Sequence, residues 1–331
     1  AGAAPQSRWL VVDAWGKGFY SLLPFTLQMA LIIIAGHVVA SAAPVARLID
    51  RVAGWPRSGR GAVALLTALA MLTSFLNWGF SLIFAARGIR VDYRALAAAS
   101  FLGLGSIWAQ GLSGSAALQM ATPGSLPESI AKVVAGGPAG AVVPGGLIPL
   151  SKTIFLWQSL LSVAVELVVV TLLLWRAAPS GARAVTAAEL GVALEDPVSA
   201  AAAPQAARPG EALEHGPWLS AVFVVLALLS LGRGFYLASR GAGKVLDALN
   251  LNTVNLIFLT VGVALHRTPA RLMAAFREAT PAVWGVLLQF PLYGGIAPEF
   301  SDAMAIVLVY AVVGVALAVA FATPHGAEAE G

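Results

Sequence analysis

The sequence contains no cysteine, which excludes disulfide bonds, iron–sulfur clusters and thiolate metal sites. Its four histidines stand at positions 37, 215, 266 and 325 and show no ligand spacing such as His-x-x-x-His. Charge is scarce as well, because charged residues make up 11% of the 331 residues, against roughly 25% in soluble domains. These shortages exclude most metalloenzymes and argue against a soluble domain.

Hydrophobic residues make up 59% of the chain instead, and its mean hydropathy is +0.83. This composition predicts an all-α polytopic membrane protein with about seven to eight apolar membrane segments. The net charge of +4 would suggest a nucleic-acid partner in a soluble domain. Here arginine lies mainly between apolar segments, as the positive-inside rule expects. We therefore expect a lipid bilayer as partner and no nucleic acid.

The N-terminal membrane half covers residues 1–175, with predicted spans at 21–42 and 153–175. Between them, the uncharged segment 61–86 has arginine clusters on both sides. A simple span would leave one cluster outside the cell, whereas a re-entrant hairpin with its polar tip near Asn77 would keep both in the cytoplasm. Both readings stay open, and the charges favour the hairpin.

Residues 95–124 begin as an apolar helix and then lose their helix-forming character. Small, polar or ring-restricted residues favour open backbone in the second half of the segment: Gly111, Ser113, Gly114, Ser115, Thr122, Pro123 and Gly124. Non-helical backbone at membrane depth is tolerated only where protein buries it or a watery cavity touches it. This predicts a broken helix and makes the stretch a candidate binding site.

Residues 176–216 are rich in alanine and proline and carry several acidic residues, a composition that predicts a disordered cytoplasmic loop. The C-terminal membrane half covers 217–331. Its predicted apolar segments are 217–237, 246–265, 282–296, which we expect to break at Pro291 and at Gly294-Gly295, and 303–321.

Two ionisable side chains lie well inside predicted spans. Glu166 is near the middle of 153–175, where an ionised carboxyl costs on the order of 2.5 kcal/mol or more. It is either functional or a protonated group bonded to a neighbouring helix. His37 is either structural or a proton carrier. The spans show no paired carboxylates, Ser/His/Asp set or histidine metal cluster, so we do not expect an enzyme.

Several short blocks with unusual composition occur in order between about residue 9 and residue 296. They are Trp15-Gly16-Lys17-Gly18-Phe19, Gln28-Met29-Ala30-Leu31-Ile32-Ile33 with Gly36-His37, Asn77-Trp78-Gly79-Phe80, Ser113-Gly114-Ser115 with Ala121-Thr122-Pro123-Gly124, Asn252-Thr253-Val254-Asn255-Leu256, and Gln289-Phe290-Pro291 with Tyr293. In these blocks the chain resembles the bacterial short-chain fatty acid transporter family, the acetoacetate/butyrate uptake type within a wider ion-transporter superfamily.

The resemblance implies a multi-pass secondary transporter of the bacterial cytoplasmic (inner) membrane that takes up short-chain carboxylates. A potential of 100 mV, inside negative, opposes anion entry by about 2.3 kcal/mol per charge. Uptake against a gradient therefore needs a co-transported cation, and a proton is our first choice and Na⁺ the second. We expect no cofactor beyond that ion. The sequence leaves the oligomeric state open, including a homo-oligomer.

We expect the substrate carboxylate to bind uncharged polar groups and helix N-termini at the breaks, since no lysine or arginine lies there. The candidate substrate-binding residues are Asn77, Ser113, Ser115 and Thr122 first, Asn252, Asn255 and Gln289 second, and Trp78, Gly79, Gly114, Pro123, Gly124 and Thr253 from the same blocks. His37 and Glu166 are the candidate ion-coupling residues. For any of the small and polar residues, the alternative is that it only allows close helix packing.

Compared with the family, the chain looks shorter by about one span at the N-terminus and by a piece near 297–302. That piece would contain further helices and a second break rich in glycine and serine. Two alternatives therefore stay open. One is a transport-incompetent, truncated remnant of the family, and the other is a transporter for another small carboxylate.

Overall fold

The structure is a computed structural model that describes residues 5–77, 89–112, 114–125, 147–192, 209–240 and 245–296. Regular structure in these ranges is helical. The α-helices are α1 (Pro5–Ser21), α2 (Leu23–Ser41), α3 (Ala43–Ala53), α4 (Gly59–Leu76), α5 (Tyr93–Ile107), α6 (Ser115–Ala121), α7 (Trp157–Ala177), α8 (Pro209–His215), α9 (Trp218–Arg240), α10 (Leu251–His266), α11 (Pro269–Ala279) and α12 (Trp284–Ile296).

Four stretches of the described chain are long and apolar enough to cross a membrane: Trp15–Ser41, α4, α7 and α9. The 21 residues of α7 extend about 32 Å at 1.5 Å per residue, which matches the roughly 30 Å hydrocarbon core. None of them is buried by the described protein, although the helix is strongly apolar. A helix of this kind needs lipid around it. The predicted all-α membrane architecture is confirmed.

Most helices begin and end within a few residues of the predicted spans. Two begin later than the apolar run, because α7 follows a turn that ends at Leu156 and α10 follows the cap residue Asn250. The breaks expected at Pro291 and at Gly294-Gly295 are wrong, since α12 continues through these residues to Ile296. A proline removes one backbone hydrogen bond, which membrane helices tolerate.

Helices α4 and α5 pack side by side and run parallel. At their first ends, a Cβ on Gly59 would lie 2.6 Å from the carbonyl oxygen of Arg90. Halfway along, a Cβ on Gly103 would lie 2.7 Å from the Cβ of Ala70. At their far ends, the N–H of Leu112 donates to the carbonyl of Phe75 over 2.7 Å. Glycines permit this close approach.

This parallel arrangement bears on the predicted hairpin. It places the arginines around the start of α4 and those around the start of α5 at the same end of the helix pair. The end of α7 lies beside them, and Arg60 in the first turn of α4 donates to the carbonyl of Ala178 over 3.0 Å. A hairpin over 61–86 requires this common entry side. Residues 78–88 lie outside the described residues, so the hairpin remains a prediction.

The segment after α7 differs from the disordered loop predicted for 176–216. Residues Gly181–Arg183 and Ala188–Leu190 form short 3₁₀ turns. The buried carboxylate of Asp92 accepts from the N–H of Val185 over 2.9 Å and from that of Ala95 over 2.8 Å, so it also caps α5. The composition of the segment did not reveal these partners in another part of the chain. Residues 193–208 lie outside the described residues.

Arg90 provides the second attachment of this segment. Its guanidinium contacts both oxygens of Glu189 at 2.8 and 3.1 Å. The N–H of Thr186 and the Arg90 guanidinium hold the pKa of Glu189 below its ordinary range. This contact lies at the exposed end of the bundle formed by α4, α5 and α7.

Helices α2 and α10 also run parallel. The amide of Gln28 near the start of α2 meets Asn252 at the start of α10, with 2.8 Å between Nε2 and Oδ1. Near their ends, Nε2 of His266 lies 2.8 Å from the carbonyl oxygen of Val38. A Cβ on Gly262 would lie 2.7 Å from the side chain of Val38, so glycine again allows the contact.

The described chain forms two compact units, and the boundary falls inside α2 between Leu27 and Gln28. In the unit made of residues 1–27 and 285–331, the rings of Phe25 and Phe290 stack with 5.7 Å between their centroids. A Cβ on Gly294 would lie 2.5 Å from the carbonyl oxygen of Gly18. The unit of residues 28–284 contains the helix break.

Candidate functional site

The predicted break after α5 is present. The helix ends at Ile107, the chain makes one 3₁₀ turn over Trp108–Gln110, and α6 begins at Ser115. Gly111 presses against the end of α4, because a Cβ there would lie 2.6 Å from the Cα of Phe75. Gly114 is equally confined, with 3.0 Å from such a Cβ to the carbonyl oxygen of Gly111.

Asn77 lies at the end of α4, two residues beyond the contact with the break. Its backbone is extended, with φ −160° and ψ 119°, and its N–H donates to the carbonyl of Thr73 over 2.7 Å. The side chain is fully buried. Asn77 therefore lies beside the break with a buried amide that can both donate and accept hydrogen bonds.

Glu166 reaches the break from α7. Its Oε1 accepts from Nε2 of Gln110 over 2.7 Å and from Oγ of Ser162 over 3.0 Å. Gln110 is the last residue of the 3₁₀ turn. The carboxyl is thus bonded to a neighbouring element, as one of the two predicted alternatives requires. The bond joins it to the broken segment itself.

Thr122 joins the end of α6 to the start of α10. Its buried hydroxyl donates to the carbonyl of Leu118 over 2.6 Å and accepts from the N–H of Leu251 over 2.9 Å. Pro123 and Gly124 then form a turn in which Gly124 has φ +70° and the N–H of Ser125 returns to Thr122. Proline followed by a left-handed glycine is typical of a type II turn. This block therefore has a clear structural role.

The first turn of α10 is closed by a capping box. Oδ1 of Asn250 accepts from the N–H groups of Asn252 and Thr253 over 3.0 and 3.1 Å, and Oγ1 of Thr253 accepts from the N–H of Asn250 over 2.7 Å. Together with Thr122, these groups satisfy the N–H groups of the first turn. The helix N-terminus expected to bind a carboxylate is occupied here by the protein itself.

Two amides of α10 meet Gln28 on α2. Oδ1 of Asn252 accepts from the Gln28 side chain, and Nδ2 of Asn255 donates to the Gln28 carbonyl over 3.1 Å. Asn255 is 9% exposed, and among the described residues its Oδ1 has no hydrogen-bonding partner. Asn252 is exposed. Oδ1 of Asn255 can therefore accept a further hydrogen bond, whereas the amide nitrogen of Asn252 can donate one.

A groove of about 360 Å³ runs between α9 and the start of α10. Its apolar wall comes from α9 and its polar wall from the capped turn. The lining residues are Ser230, Leu231, Gly234, Phe235, Ala238, Ala248, Asn250, Asn252, Thr253 and Leu256.

His37 lies apart from this polar cluster. Nine residues separate it from Gln28 along α2, which is about 14 Å in a helix. Its Nε2 lies 3.9 Å from Oε2 of Glu278 on α11, a weak contact between half-exposed side chains. The structure thus brings Glu166 to the break and places His37 near the other end of α2.

The predicted site residues divide into four groups. Gly114 lies in the break and Asn77 lies two residues beyond Phe75, which contacts the break, whereas Thr122 with the turn of Pro123 and Gly124, Asn252, Thr253 and Asn255 lie around the start of α10. Gln289 is exposed and belongs to the other unit. Four residues remain: Trp78, Gly79 and Ser113 lie outside the described residues, and only the backbone of Ser115 is described.

Sequence reasoning missed three polar residues that connect these groups: Gln28, Gln110 and Asn250. Gln28 and Gln110 are amides within apolar segments, which is a usable signal, because such groups need partners in a membrane. Asn250 precedes an apolar run and is followed three residues later by Thr253, a spacing close to a capping box.

Comparison with known proteins agrees with this architecture. A family model described as "Short chain fatty acid transporter" matches residues 2–323. A protein of Escherichia coli, provisionally named a short-chain fatty acid transporter, is 33% identical over 300 residues, which cover 88% of this chain and 63% of that protein. A Haemophilus influenzae protein with the same provisional name is 29% identical over 294 residues, covering 86% and 62%.

The chain thus spans less than two thirds of the length of these two relatives. No solved structure matches it. The family model nevertheless covers nearly the whole chain, including the break at 108–114 and the polar start of α10. The chain therefore belongs to the short-chain fatty acid transporter family.

Proposed function

We propose that this chain acts as a secondary transporter that takes up short-chain fatty acids of the acetoacetate/butyrate class into bacteria, across the inner membrane, by cation symport. The observation that carries the proposal is the helix break with its surrounding polar groups. Gly111 in the break presses on α4, Gln110 contacts Glu166, and Thr122 joins the following helix α6 to α10. Interrupted membrane helices of this kind bind substrate and ions in other transporters.

The groove beside α10 suits a small acid with one polar and one apolar end. Leu231 and Phe235 on α9 line the apolar side, and Asn252 lies on the polar side. The Asn252 carbonyl is already bonded to Gln28, so its amide nitrogen is the group left to donate to a carboxylate. We therefore rank Asn252 above Thr122 and Thr253, whose hydroxyls are used in capping.

Asn255 suits the opposite partner. Its donor is bonded to the Gln28 carbonyl, and its buried Oδ1 can only accept. An acceptor of this kind repels a carboxylate and favours a cation or a hydrogen-bond donor. A proton carried by Glu166 or His37 is our first choice for the coupling ion, and Na⁺ near Asn255 is the second.

Uptake into proteoliposomes tests the proposal. The chain should accumulate labelled butyrate or acetoacetate only when an inward gradient of the coupling ion is imposed, and separate proton and sodium gradients identify that ion. Asn252→Asp should abolish accumulation, because its carboxylate faces the substrate anion. Asn252→Gln keeps the amide and serves as the matched control.

Three results would contradict specific parts of the proposal. Accumulation without any ion gradient would exclude symport. Preference for another small acid would move the chain to a different substrate class within the family. Substrate binding without uptake would favour the transport-incompetent alternative.

A further inference from the structure

We infer that Glu166 binds the coupling proton and that Gln110 is the positioning residue that links the charge on Glu166 to the geometry of the helix break. The role in transport rests on the proposed function, whereas the link itself concerns only the contact between α7 and the break. The carboxyl takes up one proton from one aqueous side and releases it to the other, and no other bond forms or breaks.

The contact has a direct geometry. Nε2 of Gln110 and Oγ of Ser162 both donate to the same oxygen of Glu166, at 2.7 and 3.0 Å. Gln110 closes the 3₁₀ turn and is followed at once by Gly111, whose backbone presses against Phe75. A change in the position of Gln110 therefore acts on Gly111, which has little free space beside Phe75.

Within the described ranges, the segments of α4 and α5 that pack on α7 bring no charged residue to Glu166. It is the tenth of the 21 residues of α7, which places it near the middle of the span. The charged and titratable groups near α4, α5 and α7 lie at the end where α4 and α5 begin and α7 ends, away from Glu166. They are Arg57, Arg60, Arg90, Asp92, Tyr93, Arg94, Arg176 and Glu189. Segments 61–76 and 95–112 carry no charged residue.

Protonation changes what this contact can do. An ionised carboxylate makes charge-assisted hydrogen bonds that are roughly twice as strong as neutral ones. A neutral carboxyl holds Gln110 less firmly and also gains a donor of its own. Uptake of a proton by Glu166 thus loosens the turn that precedes Gly111, and release of the proton tightens it.

A fluorescence titration tests the link without measuring transport. The chain has no cysteine, so Ala109→Cys, at an exposed position in the 3₁₀ turn, allows one bimane label beside Gln110. In lipid nanodiscs, the emission should change in a single step as the pH is varied. Glu166→Gln should abolish the step. Gln110→Met, which keeps size but cannot donate, should abolish it although Glu166 is still present.

The matched control is Gln119→Met on α6, which removes an amide elsewhere in the broken segment and should leave the step unchanged. If Gln110→Met does not fold, Gln110→Asn replaces it, since the shorter amide falls short of Glu166. A step that survives Glu166→Gln would overturn Glu166 as the proton site. A step that survives both Gln110 variants but not Glu166→Gln would overturn the role of Gln110.

The pH profile of butyrate uptake gives the second measurement. In the unaltered chain, uptake should fall by about tenfold per pH unit above the step, as expected for one proton. Glu166→Gln and Gln110→Met should both flatten this profile, whereas a merely structural role for Gln110 would lower uptake equally at every pH. Absence of uptake in the unaltered chain would contradict the proposed function, and the fluorescence titration would still decide the inference.

Discussion

The interruption after α5 and the start of α10 meet the same physical requirement in different ways. In both places, backbone N–H groups stand at the start or the end of an apolar helix and need partners. At the first interruption, the partners are backbone carbonyls, as in the bonds from Leu112 to Phe75 and from Gly114 to Gly111. At the second, they are side-chain oxygens of Asn250 and Thr122.

This difference determines what each interruption tolerates. The backbone of Gly111 approaches that of Phe75 so closely because glycine has no side chain, so the first interruption should be sensitive to added volume. Side-chain caps leave more space but depend on particular polar atoms, so the second should be sensitive to their removal. Added volume therefore tests the first interruption, and removal of single polar atoms tests the second.

The largest expected effect is on topology and is all-or-none. The parallel packing of α4 and α5 predicts that both helices enter the membrane from one side. Single cysteines replacing Arg57 and Arg90 should both react with an impermeant thiol reagent from the cytoplasmic face only. Reaction from opposite faces would make 61–86 an ordinary span and break the comparison at its first element.

Gly111→Ala should give the largest loss of stability. The new Cβ would lie 2.6 Å from the Cα of Phe75, a backbone atom that no side-chain rotation can move away. Overpacking of this kind costs about 1–3 kcal/mol or more. Thermal unfolding in nanodiscs measures the change. Gly105→Ala, with no atom within 4 Å of its Cβ, is the matched control.

The control should shift stability in the opposite direction. Gly105 lies within α5, where alanine is favoured over glycine by about 0.5–1 kcal/mol. Equal losses in the two variants would mean that Gly111 matters for the flexibility of the chain and that its contact with Phe75 does not.

Local patterns predicted the membrane helices and the break, because both follow from nearby residues. A span needs about 20 apolar residues, and Gly111 and Gly114 favour open backbone wherever they stand in a helix. The partners of those elements were not predictable in this way. Gln28 and Asn252 are 224 residues apart and meet only because α2 and α10 pack in parallel.

The same limit applies to Thr122 and to the segment after α7. Thr122 has the chemistry of a ligand, but its hydroxyl is used to cap α10, which no pattern within its own block indicates. Residues 178–192 have the composition of a disordered loop, but Asp92 and Arg90 hold them from a distance. The composition of a segment indicates how much apolar surface it can bury by itself. It does not reveal hydrogen-bonding partners in distant parts of the chain, on which both cases depend.

Thr122→Val tests the side-chain cap of the second interruption. Valine keeps the shape of threonine but removes the acceptor of the Leu251 N–H, which is buried. An unsatisfied buried donor costs about 1–3 kcal/mol in unfolding free energy. Thr122→Ser keeps the hydroxyl and should lose less. If the two variants unfold alike, the contribution of Thr122 comes from its methyl group and the cap is unimportant.

Asn250→Ala should have a smaller effect of about 1 kcal/mol, the typical cost of removing an N-cap side chain. Asn250→Ser should stay within a few tenths of the unaltered chain, since serine caps almost as well. Amide hydrogen exchange of residues 251–253 reads the change directly. Faster exchange at both variants would show that something other than the cap oxygen protects this turn.

The smallest expected effect concerns the contact between Arg90 and Glu189, which lies outside the membrane helices and is exposed. The N–H of Thr186, first, and the Arg90 guanidinium hold the pKa of Glu189 below its ordinary value of about 4.5. A carboxyl with a lowered pKa in the folded chain stabilises it above the ordinary pKa and loses this contribution as the pH falls through the folded value. Attachment of residues 181–192 should therefore be constant between pH 7 and about 5 and weaken below that range.

A spin label at Ala188→Cys, an exposed position next to Glu189, can follow this attachment through its mobility. In the unaltered background, the mobile fraction should rise only when the solution becomes more acidic than the ordinary pKa of the carboxyl. With Glu189→Gln, the label should be more mobile at pH 7 already and should respond less to acid. Because Asp92 also holds the segment through Val185, the difference between the two profiles isolates Glu189. Identical profiles would assign the attachment to Asp92 and to the N–H of Tyr93, which donates to the carbonyl of Val185 over 2.8 Å, and the exposed ion pair would then add nothing to these bonds.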